Sequence, residues 1–261
     1  MESNQCFLQG SESKLYLEWY NGQLVIRKWR YPRSYRHATI DARLRKRRTK
    51  AEKKALEKCY SLGVSAPSLV DDNIDKTTLY IGYLHNTIQL GDYINKMSKD
   101  EELDQEHVIK KLNWAFSEFG RLVANLHSHD LIHGDLTSSN VLVELEKNHK
   151  YLKKITLPTK CDHAIEKQVP LSSNNIDSFK GEKLHLVDFG LSSISLSAES
   201  KAVDLHLLER TIQCRYDDQK YPNLFNFFMD SYYKHVNCEF LYKQISQKLD
   251  SVRKRYRKIG C

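Results

Sequence analysis

The stretch LIHGDLTSSNVLV, residues 131–143, constrains the fold more than any other part of this sequence. It places a histidine, an aspartate and an asparagine at fixed offsets between two runs of apolar residues that favour β-strands. Such runs belong inside a domain, where a charge without a partner is costly. Asp135 and Asn140 are therefore either turn residues bonded to their own backbone, or residues that hold a charged ligand.

A second stretch, LHLVDFGLSS at residues 184–193, repeats this arrangement. Its apolar run ends in Asp188, and a glycine follows two positions later. Taken alone, Asp188 fits a simple exit from a strand into a turn. Asp135, Asn140 and Asp188 in this order, each beside an apolar run, are instead typical of a site that binds a nucleotide and its metal ion.

The N-terminal part of the chain predicts a β-meander over residues 5–30. The segments KLYLEWY and QLVIRKW are rich in strand-forming residues, and Asn21-Gly22 between them is a strong signal for a two-residue hairpin turn. Upstream, FLQGSES resembles the end of another strand that runs into a turn of small residues. Lys28 shares a strand face with apolar residues, so we expect its side chain to point into a cleft.

A helix is predicted after RYPRSYRH, with Asp41 as its N-cap and Gly63 just past its end. Its apolar residues recur at helical spacing and form one stripe: Leu44, Ala51, Ala55, Leu56, Cys59 and Leu62. Glu52 lies one turn before Leu56 and belongs to this inward side. Glu52 is therefore the acid of this helix that can hold the Lys28 side chain.

The remainder of the chain is predicted to be mainly helical. A strand at 78–84 is followed by a long amphipathic helix from about Gln105 to His129. A polar segment at about 146–182 is predicted to be an exposed insertion. Two more helices follow it, and the last ends in a basic tail at about 252–261.

The polar residues singled out above match the needs of phosphoryl transfer, which are charge neutralisation and in-line positioning more than covalent chemistry. Asp188 would coordinate magnesium at the phosphates, and Asn140 would add a neutral oxygen ligand. Asp135 would orient the acceptor hydroxyl or accept its proton. Lys28 would reach the phosphates from its strand, held there by Glu52.

Composition bounds the class of protein and of partner. A chain of 261 residues with 40% hydrophobic content can build one sizeable domain or two small lobes. No segment is apolar enough to cross a bilayer, the N-terminus has no signal pattern, and the six cysteines form no C-x-x-C pair. We therefore expect a protein of the cytoplasm or nucleus. Its net charge of +8 favours polyanionic partners.

Basic residues concentrate in one part of the chain. Between Arg27 and Lys54 lie thirteen lysines and arginines with few acids, many of them in RLRKRRTK on the outer side of the predicted helix. We predict that Arg45, Arg47 and Arg48 contact tRNA or an acidic partner, and the alternative is an ordinary solvated helix face. The terminal RKRYRK presents the same choice between a flexible tail that reaches tRNA or a partner and a disordered end.

Five segments together resemble the small atypical kinase subunits of the KEOPS (EKC) complex, the PRPK/Bud type: HGDLTSSN, VDFGLS, AVDLHLLERT, RYPRSYRH and VRKRYRK. The likeness covers nearly the whole chain except the insertion at 146–182. It implies an α+β, bilobal protein-kinase-like fold that binds ATP and Mg²⁺. The small β-rich N-lobe, with one regulatory helix, would span 1–84, and a reduced, mainly helical C-lobe would span 85–261.

The resemblance also implies roles for individual residues. The catalytic residues would be Asp135, Lys28 and Glu52. The metal ligands would be Asn140 and Asp188. The nucleotide would contact Gln9, Gly10, Ser11, Lys28, Gly82, Leu84, Asn140 and Asp188, with backbone groups near Gly82 and Leu84 meeting adenine. Gly82 departs from the family, which usually has an acidic residue there, so a side-chain contact at this position is lost.

The implied function is that of a Mg-ATP-dependent atypical serine/threonine protein kinase or ATP hydrolase that supports threonylcarbamoyl modification of tRNA adenosine 37. The implied partners are a Kae/TsaD-type transferase, Cgi-type and Pcc-type subunits and tRNA, with a link to telomere maintenance. Two other functions stay open. One is a small-molecule phosphotransferase of the aminoglycoside or choline kinase type, which shares the H-G-D-x-x-x-x-N spacing. The other is a non-catalytic scaffold that binds tRNA or partners through basic surfaces.

Two absences shape the expected mechanism. Ordinary protein kinases carry, before the catalytic aspartate, an arginine that binds an activation-loop phosphate, but Gly134 occupies that position. The segment between Asp188 and Asp204 is too short for a large peptide-docking platform. We therefore expect ATP hydrolysis coupled to a complex rather than phosphorylation of diverse proteins.

Overall fold

A computed structural model of the chain describes residues 6–10, 12–71, 77–153, 182–217 and 219–259. The strands are β1 (Cys6–Gln9), β2 (Lys14–Tyr20), β3 (Gln23–Trp29), β4 (Leu69–Asp71), β5 (Thr78–Gly82), β6 (Thr87–Gln89), β7 (Leu131–Ile132), β8 (Val141–Glu144), β9 (Lys183–Leu186) and β10 (Ser193–Ile194). The α-helices are α1 (Ala38–Ser61), α2 (Leu90–Met97), α3 (Gln105–Ser128), α4 (Ala198–Arg215), α5 (Leu224–His235) and α6 (Glu239–Ile259).

The N-terminal lobe is a five-stranded antiparallel sheet, in the order β1-β2-β3-β5-β4, with α1 packed beside it. The first three strands form the predicted meander. Between β2 and β3, Asn21 and Gly22 have φ values of 47° and 81°. Two successive positive φ angles define the turn that matches the twist of a tight hairpin, which is why the Asn-Gly pair was a reliable signal.

Helix α1 presents Glu52 inward, as predicted, together with Ala55, Leu56 and Cys59. Its start differs from the prediction, because the helix begins at Ala38 and Asp41 lies inside the first turn. The Asp41 carboxylate accepts a bond from Arg45 Nε at 2.7 Å, so this acid binds one turn ahead instead of capping the helix. The prediction of Asp41 as N-cap was wrong.

The end of α1 follows its glycine. Gly63 has φ +64°, its N–H donates to the Tyr60 carbonyl, and the N–H of Val64 reaches back to the Cys59 carbonyl at 2.9 Å. These two bonds are the Schellman closure, which satisfies carbonyls that the last turn leaves open. The predicted end at Gly63 is confirmed.

The C-terminal lobe is built around α3, which corresponds to the long helix predicted from about Gln105 to His129. Helix α3 packs on α5, and α4 packs on α6. Above this helical body lie two small antiparallel sheets, β6-β8-β9 and β7-β10. Val141 in β8 pairs with Leu186 in β9. This pairing brings the segment that carries Asp135 and Asn140 beside the segment that carries Asp188.

Gly120 sets how closely α3 and α5 approach each other. A Cβ built on Gly120 would lie well under the 3.0 Å that real Cβ atoms keep from the Phe228 carbonyl oxygen of α5. We expect Gly120→Ala to lower the free energy of unfolding by about 1–3 kcal/mol through overpacking. This outcome opposes the ~1 kcal/mol that alanine normally contributes over glycine in a helix interior. Chemical denaturation measures it.

The control for Gly120 is Gly91 of α2, where an added Cβ would meet side chains instead of backbone. It would lie 3.3 Å from the tip of Arg215, which can move, and at ordinary contact distance from the Tyr216 and Ser138 hydroxyls. Gly91→Ala should therefore change stability by no more than about 0.5 kcal/mol. Equal or higher stability of Gly120→Ala would show that the two helices can separate at no cost.

The predicted insertion is exposed at its start but is anchored at both ends. Residues 154–181 lie outside the described residues, and Glu146, Lys147, Asn148 and Lys150 are exposed as predicted, whereas two other residues contact the C-terminal lobe. Tyr151 is buried against Tyr93, and Glu182 is bonded by Tyr93 and Lys111.

The basic end of the chain is a helix through Ile259, and it packs on α4. Arg253 pairs with Glu209 and Arg255 with Glu199. This end is therefore helical rather than flexible or disordered, and its contact with tRNA or a partner stays a prediction. Among the helices that the structure describes, none is both long and apolar enough to cross a bilayer.

Candidate active site

Lys28 is the centre of the site. Its position on β3 turns the side chain toward α1, and the residue is 5% exposed. Its Nζ donates to Glu52 Oε1 at 2.7 Å and to Asp188 Oδ1 at 2.7 Å. The structure thus brings together a strand lysine, a helix acid and the aspartate that follows β9, as the sequence analysis expected.

Arg30 is a member of this group that sequence reasoning missed. It is 3% exposed, and its Nη2 donates to the second oxygen of Glu52, so that carboxylate binds two cations. Its Nη1 donates to Thr49 Oγ1 at 3.3 Å. The available signal was spacing, because Arg30 follows Lys28 by two residues and therefore shares its face of the strand.

The surroundings of Asp188 favour its ionised form and leave its carboxylate accessible to a cation. Burial alone would raise the pKa of its carboxyl, but the ammonium of Lys28, together with Arg30 and His133, outweighs burial and lowers the pKa to about 2. Its side chain is half-exposed, and its backbone has φ +62°. An ionised, accessible carboxylate is the ligand that Mg²⁺ prefers, so Asp188 fits a metal position.

Asn140 and Asp135 are joined to each other. Asn140 Nδ2 donates to the Asp135 backbone oxygen at 2.8 Å and to its carboxylate Oδ2 at 2.9 Å. These bonds use the amide nitrogen of Asn140, and neither of them uses its amide oxygen. The N–H of Val187 donates to the Asn140 carbonyl at 3.0 Å, which sets Asn140 beside Asp188. An amide oxygen and a carboxylate form a donor set suited to Mg²⁺ that also takes phosphate oxygens.

Asp204 holds the loop that carries Asp135. This buried aspartate of α4 accepts the N–H of His133 at 2.7 Å and of Gly134 at 2.9 Å. Burial alone would raise the pKa of Asp204, but bonding from His127 and His133 lowers it. In the sequence, Asp204 was noted only as the end of the short segment that follows Asp188. Its anchoring role was missed, because it depends on the loop that packs against α4.

The structure gives less support to the nucleotide contacts predicted at residues 9–11 and at Gly82 and Leu84. The Gly10 N–H donates to the Ser13 carbonyl, which closes an ordinary turn. Gln9 and Gly10 are exposed, and Ser11 lies outside the described residues. The Gly82 N–H donates to the Ser68 carbonyl at 2.8 Å and so is not a donor for adenine. Its carbonyl and the Leu84 backbone remain the candidate contacts.

Ser68 is the residue nearest to position 82. A Cβ at Gly82 would meet the Ser68 hydroxyl, and an acidic side chain there would require this exposed hydroxyl to rotate away.

The basic surface of α1 differs in membership from the prediction. Arg45 pairs with Asp41, and Arg48 pairs with Glu12, so these two arginines are not available as predicted. Five other basic residues are exposed at helical spacing and define what we call the outer face of α1: Arg43, Lys46, Arg47, Lys50 and Lys54. Within the described residues, none of the five forms an ion pair.

Comparison with known proteins gives one family match and several relatives. Residues 11–157 match the model of the lipopolysaccharide kinase (Kdo/WaaP) family. The chain is 30% identical over 250 residues to the EKC/KEOPS complex subunit Tp53rkb of Mus musculus, covering 96% of this chain and 85% of that protein. It is 29% identical over 254 residues to EKC/KEOPS complex subunit bud32 of Dictyostelium discoideum, covering 97% and 82%. The corresponding protein of Encephalitozoon cuniculi, BUD32, is 28% identical over 253 residues, covering 96% and 94%.

Solved structures share the fold. WaaP in complex with acyl carrier protein has a TM-score of 0.54 at 11% identity, covering 95% of this chain and 88% of that one. The Rio2 kinase from Chaetomium thermophilum has a TM-score of 0.51 at 14% identity, covering 96% and 71%. At such identities the likeness concerns the fold alone. The two-lobed, kinase-like α+β fold expected from the sequence is confirmed.

Proposed function

Because the chain belongs to the family of EKC/KEOPS complex subunits of the Bud32 and Tp53rkb type, and to the lipopolysaccharide kinase (Kdo/WaaP) family as its model defines it, we propose that it is a Mg-ATP-dependent phosphotransferase or ATP hydrolase. The observation that carries this proposal is the contact of Lys28 Nζ with both Glu52 and Asp188. In a kinase-like fold, the strand lysine contacts the phosphates, the helix acid holds that lysine, and the aspartate binds the metal ion.

Each residue of the site has a defined task in this proposal. Bound Mg²⁺ would neutralise charge on the phosphates, with Asp188 and Asn140 as its protein ligands. Lys28 would orient the phosphates, and Glu52 would keep its ammonium in place. Asp135, fixed by Asn140, would orient the attacking hydroxyl or water and accept its proton.

The role in a complex follows from the relatives, which are named as EKC/KEOPS subunits. We place this chain beside a Kae/TsaD-type transferase, with Cgi-type and Pcc-type subunits, in threonylcarbamoyl modification of tRNA. Gly134 and the short segment between Asp188 and Asp204 favour ATP hydrolysis, or narrow serine/threonine kinase activity, over phosphorylation of many proteins. The resemblance also supports a cytoplasmic and nuclear location and a link to telomere maintenance.

ATP turnover by the purified chain tests this proposal. It should be measured alone, with a Kae/TsaD-type partner, and with partner and tRNA together. Turnover that needs Mg²⁺ and changes with the partner supports the proposal. An absence of turnover in all three conditions contradicts the enzymatic function and favours a binding scaffold.

A second candidate is a small-molecule phosphotransferase, favoured by the match of residues 11–157 to the Kdo/WaaP family model. It shares the site described above and differs in the acceptor. Stimulation of ATP turnover by sugars, amino sugars or small alcohols, and not by the protein partner, would support this candidate instead.

We also assign tRNA binding to the outer face of α1. Substituting Arg43, Arg47 and Lys50 by glutamine should weaken tRNA binding, because each cation can neutralise one phosphate. The dependence of log Kd on log salt should flatten by about one unit per phosphate contact removed. Titration of labelled tRNA at several salt concentrations measures both quantities.

The matched control removes the same charge elsewhere. Lys99, Lys147 and Lys183 are exposed lysines on other parts of the surface, and their triple glutamine variant should retain the salt slope of the natural protein. If both triple variants lose affinity equally, the outer face of α1 is only a solvated helix surface.

A further inference from the structure

Arg30 stands where three parts of the site meet. It extends from the end of β3, its guanidinium bonds Glu52 and Thr49 of α1, and its side chain is almost fully buried. The same guanidinium covers Gly190, since a Cβ built on that glycine would lie 2.7 Å from Arg30 Nη2. One side chain therefore contacts strand, helix and the loop that carries Asp188.

The charges show what Arg30 adds. Two cations, Lys28 and Arg30, face two acids, the buried Glu52 and the half-exposed Asp188, so the group of four has no net charge. With Asp188 as a metal ligand and Lys28 on the phosphates, Glu52 would still have Arg30 as a second cationic partner beside Lys28. Because Arg30 also hydrogen-bonds the Glu52 carboxylate, Glu52 would keep its position when metal and nucleotide bind.

A second contact ties the same loop to the same helix. Ser192 Oγ donates to the Ala51 carbonyl of α1 at 3.3 Å, next to Glu52. The Asp188 loop is thus joined to α1 directly by the hydrogen bond of Ser192, and indirectly through Gly190, which lies against the Arg30 guanidinium that bonds Glu52.

Ordinary protein kinases obtain this alignment in part from an activation-loop phosphate, which an arginine before the catalytic aspartate binds. Gly134 occupies that position here. Resting on the function proposed above, we infer that Arg30 is a positioning residue: it locks α1 and the Asp188 loop in the active arrangement without phosphorylation. Arg30 acts through Glu52 and touches no substrate.

The test compares Arg30→Met with Arg30→Lys in the full chain, measuring kcat and KM for ATP with the partner and tRNA present. Arg30→Met should lower kcat by about 10–100-fold, as loss of a residue that orients a ligand typically does. Arg30→Lys retains one donor to Glu52 and should recover part of that loss. Arg27→Met is the control, because Arg27 lies on the other face of β3 and pairs with Glu18.

A double-mutant cycle separates positioning from simple stabilisation. If Arg30 acts through Glu52, adding Arg30→Met to Glu52→Gln should cause little further loss of kcat/KM, whereas independent effects would multiply. Multiplied losses, or a normal kcat in Arg30→Met at temperatures where it is folded, would overturn the inference.

Hydrogen exchange tests the lock without relying on turnover. Arg30→Met should speed amide exchange in residues 49–56 of α1 and in residues 189–192, while Arg27→Met should leave both segments unchanged. Unchanged exchange in Arg30→Met overturns the inference even if the natural protein hydrolyses ATP. Absence of ATP turnover in the natural protein contradicts the proposed function instead, and the exchange result still decides the lock.

Discussion

Asp188→Asn is expected to reduce Mg-ATP turnover by about 10²–10³-fold, the loss typical when one preorganised electrostatic contact is removed. Asparagine keeps the shape of the side chain but loses the negative charge that a metal ion needs. The pKa of Asp188 lies near 2, so the natural side chain is fully charged at neutral pH. Steady-state ATP hydrolysis over a range of Mg²⁺ concentrations measures the loss.

The control for Asp188 is Asp230→Asn, the same change at an exposed position on α5. Asp230→Asn should turn over ATP like the natural protein. The Asp188 side chain is half-exposed, so its variant should remain folded, which circular dichroism can verify. Full turnover in a folded Asp188→Asn protein would remove this residue from the metal position.

Gly134→Ala is expected to lower the free energy of unfolding by about 2–5 kcal/mol. The backbone at Gly134 has φ +81°, and a left-handed conformation costs a residue with a Cβ about 1–2 kcal/mol. A Cβ there would also lie far inside contact distance of the Leu191 carbonyl, an overpacking that costs about 1–3 kcal/mol. Chemical denaturation measures the sum.

Gly63→Ala isolates the backbone part of this effect. Gly63 has φ +64°, but nothing lies within 4 Å of a Cβ built on it. Its alanine variant should lose only about 1–2 kcal/mol. Equal losses at the two glycines would mean that the Leu191 carbonyl can move away. A larger loss for Gly134→Ala than for Gly63→Ala would show that the Leu191 carbonyl leaves no room for a side chain at position 134. An arginine that binds an activation-loop phosphate could then not be accommodated there.

Patterns that are local in the chain predicted much of the framework. The meander with its Asn-Gly turn, the end of α1 at Gly63 and the length of α3 follow from spacing and turn residues that act over a few positions. The inward direction of Glu52 follows from the helical period alone. These features were available because period and turn geometry do not depend on distant residues.

Other expectations failed where a partner elsewhere in the fold decided the outcome. Arg48 counts as basic surface in a sequence, but Glu12 of the first hairpin pairs with it. The pair of Arg45 with Asp41, one helical turn away, is local and was overlooked. The Gly82 N–H is taken by Ser68, and the basic end of α6 is held by glutamates of α4. Charge and exposure are properties of pairs, and the sequence does not show which pairs form.

The sequence by itself determined the residue types of the site, their order, and the strand and helix faces that carry Lys28 and Glu52. Only the tertiary structure decided that Arg30 shares Glu52 and that Asp204 anchors the catalytic loop. These bonds join residues 22 and 71 positions apart, and the bond from Lys28 to Asp188 spans 160. Local periodicity sets the direction of a side chain, whereas the packing of whole elements sets what it meets.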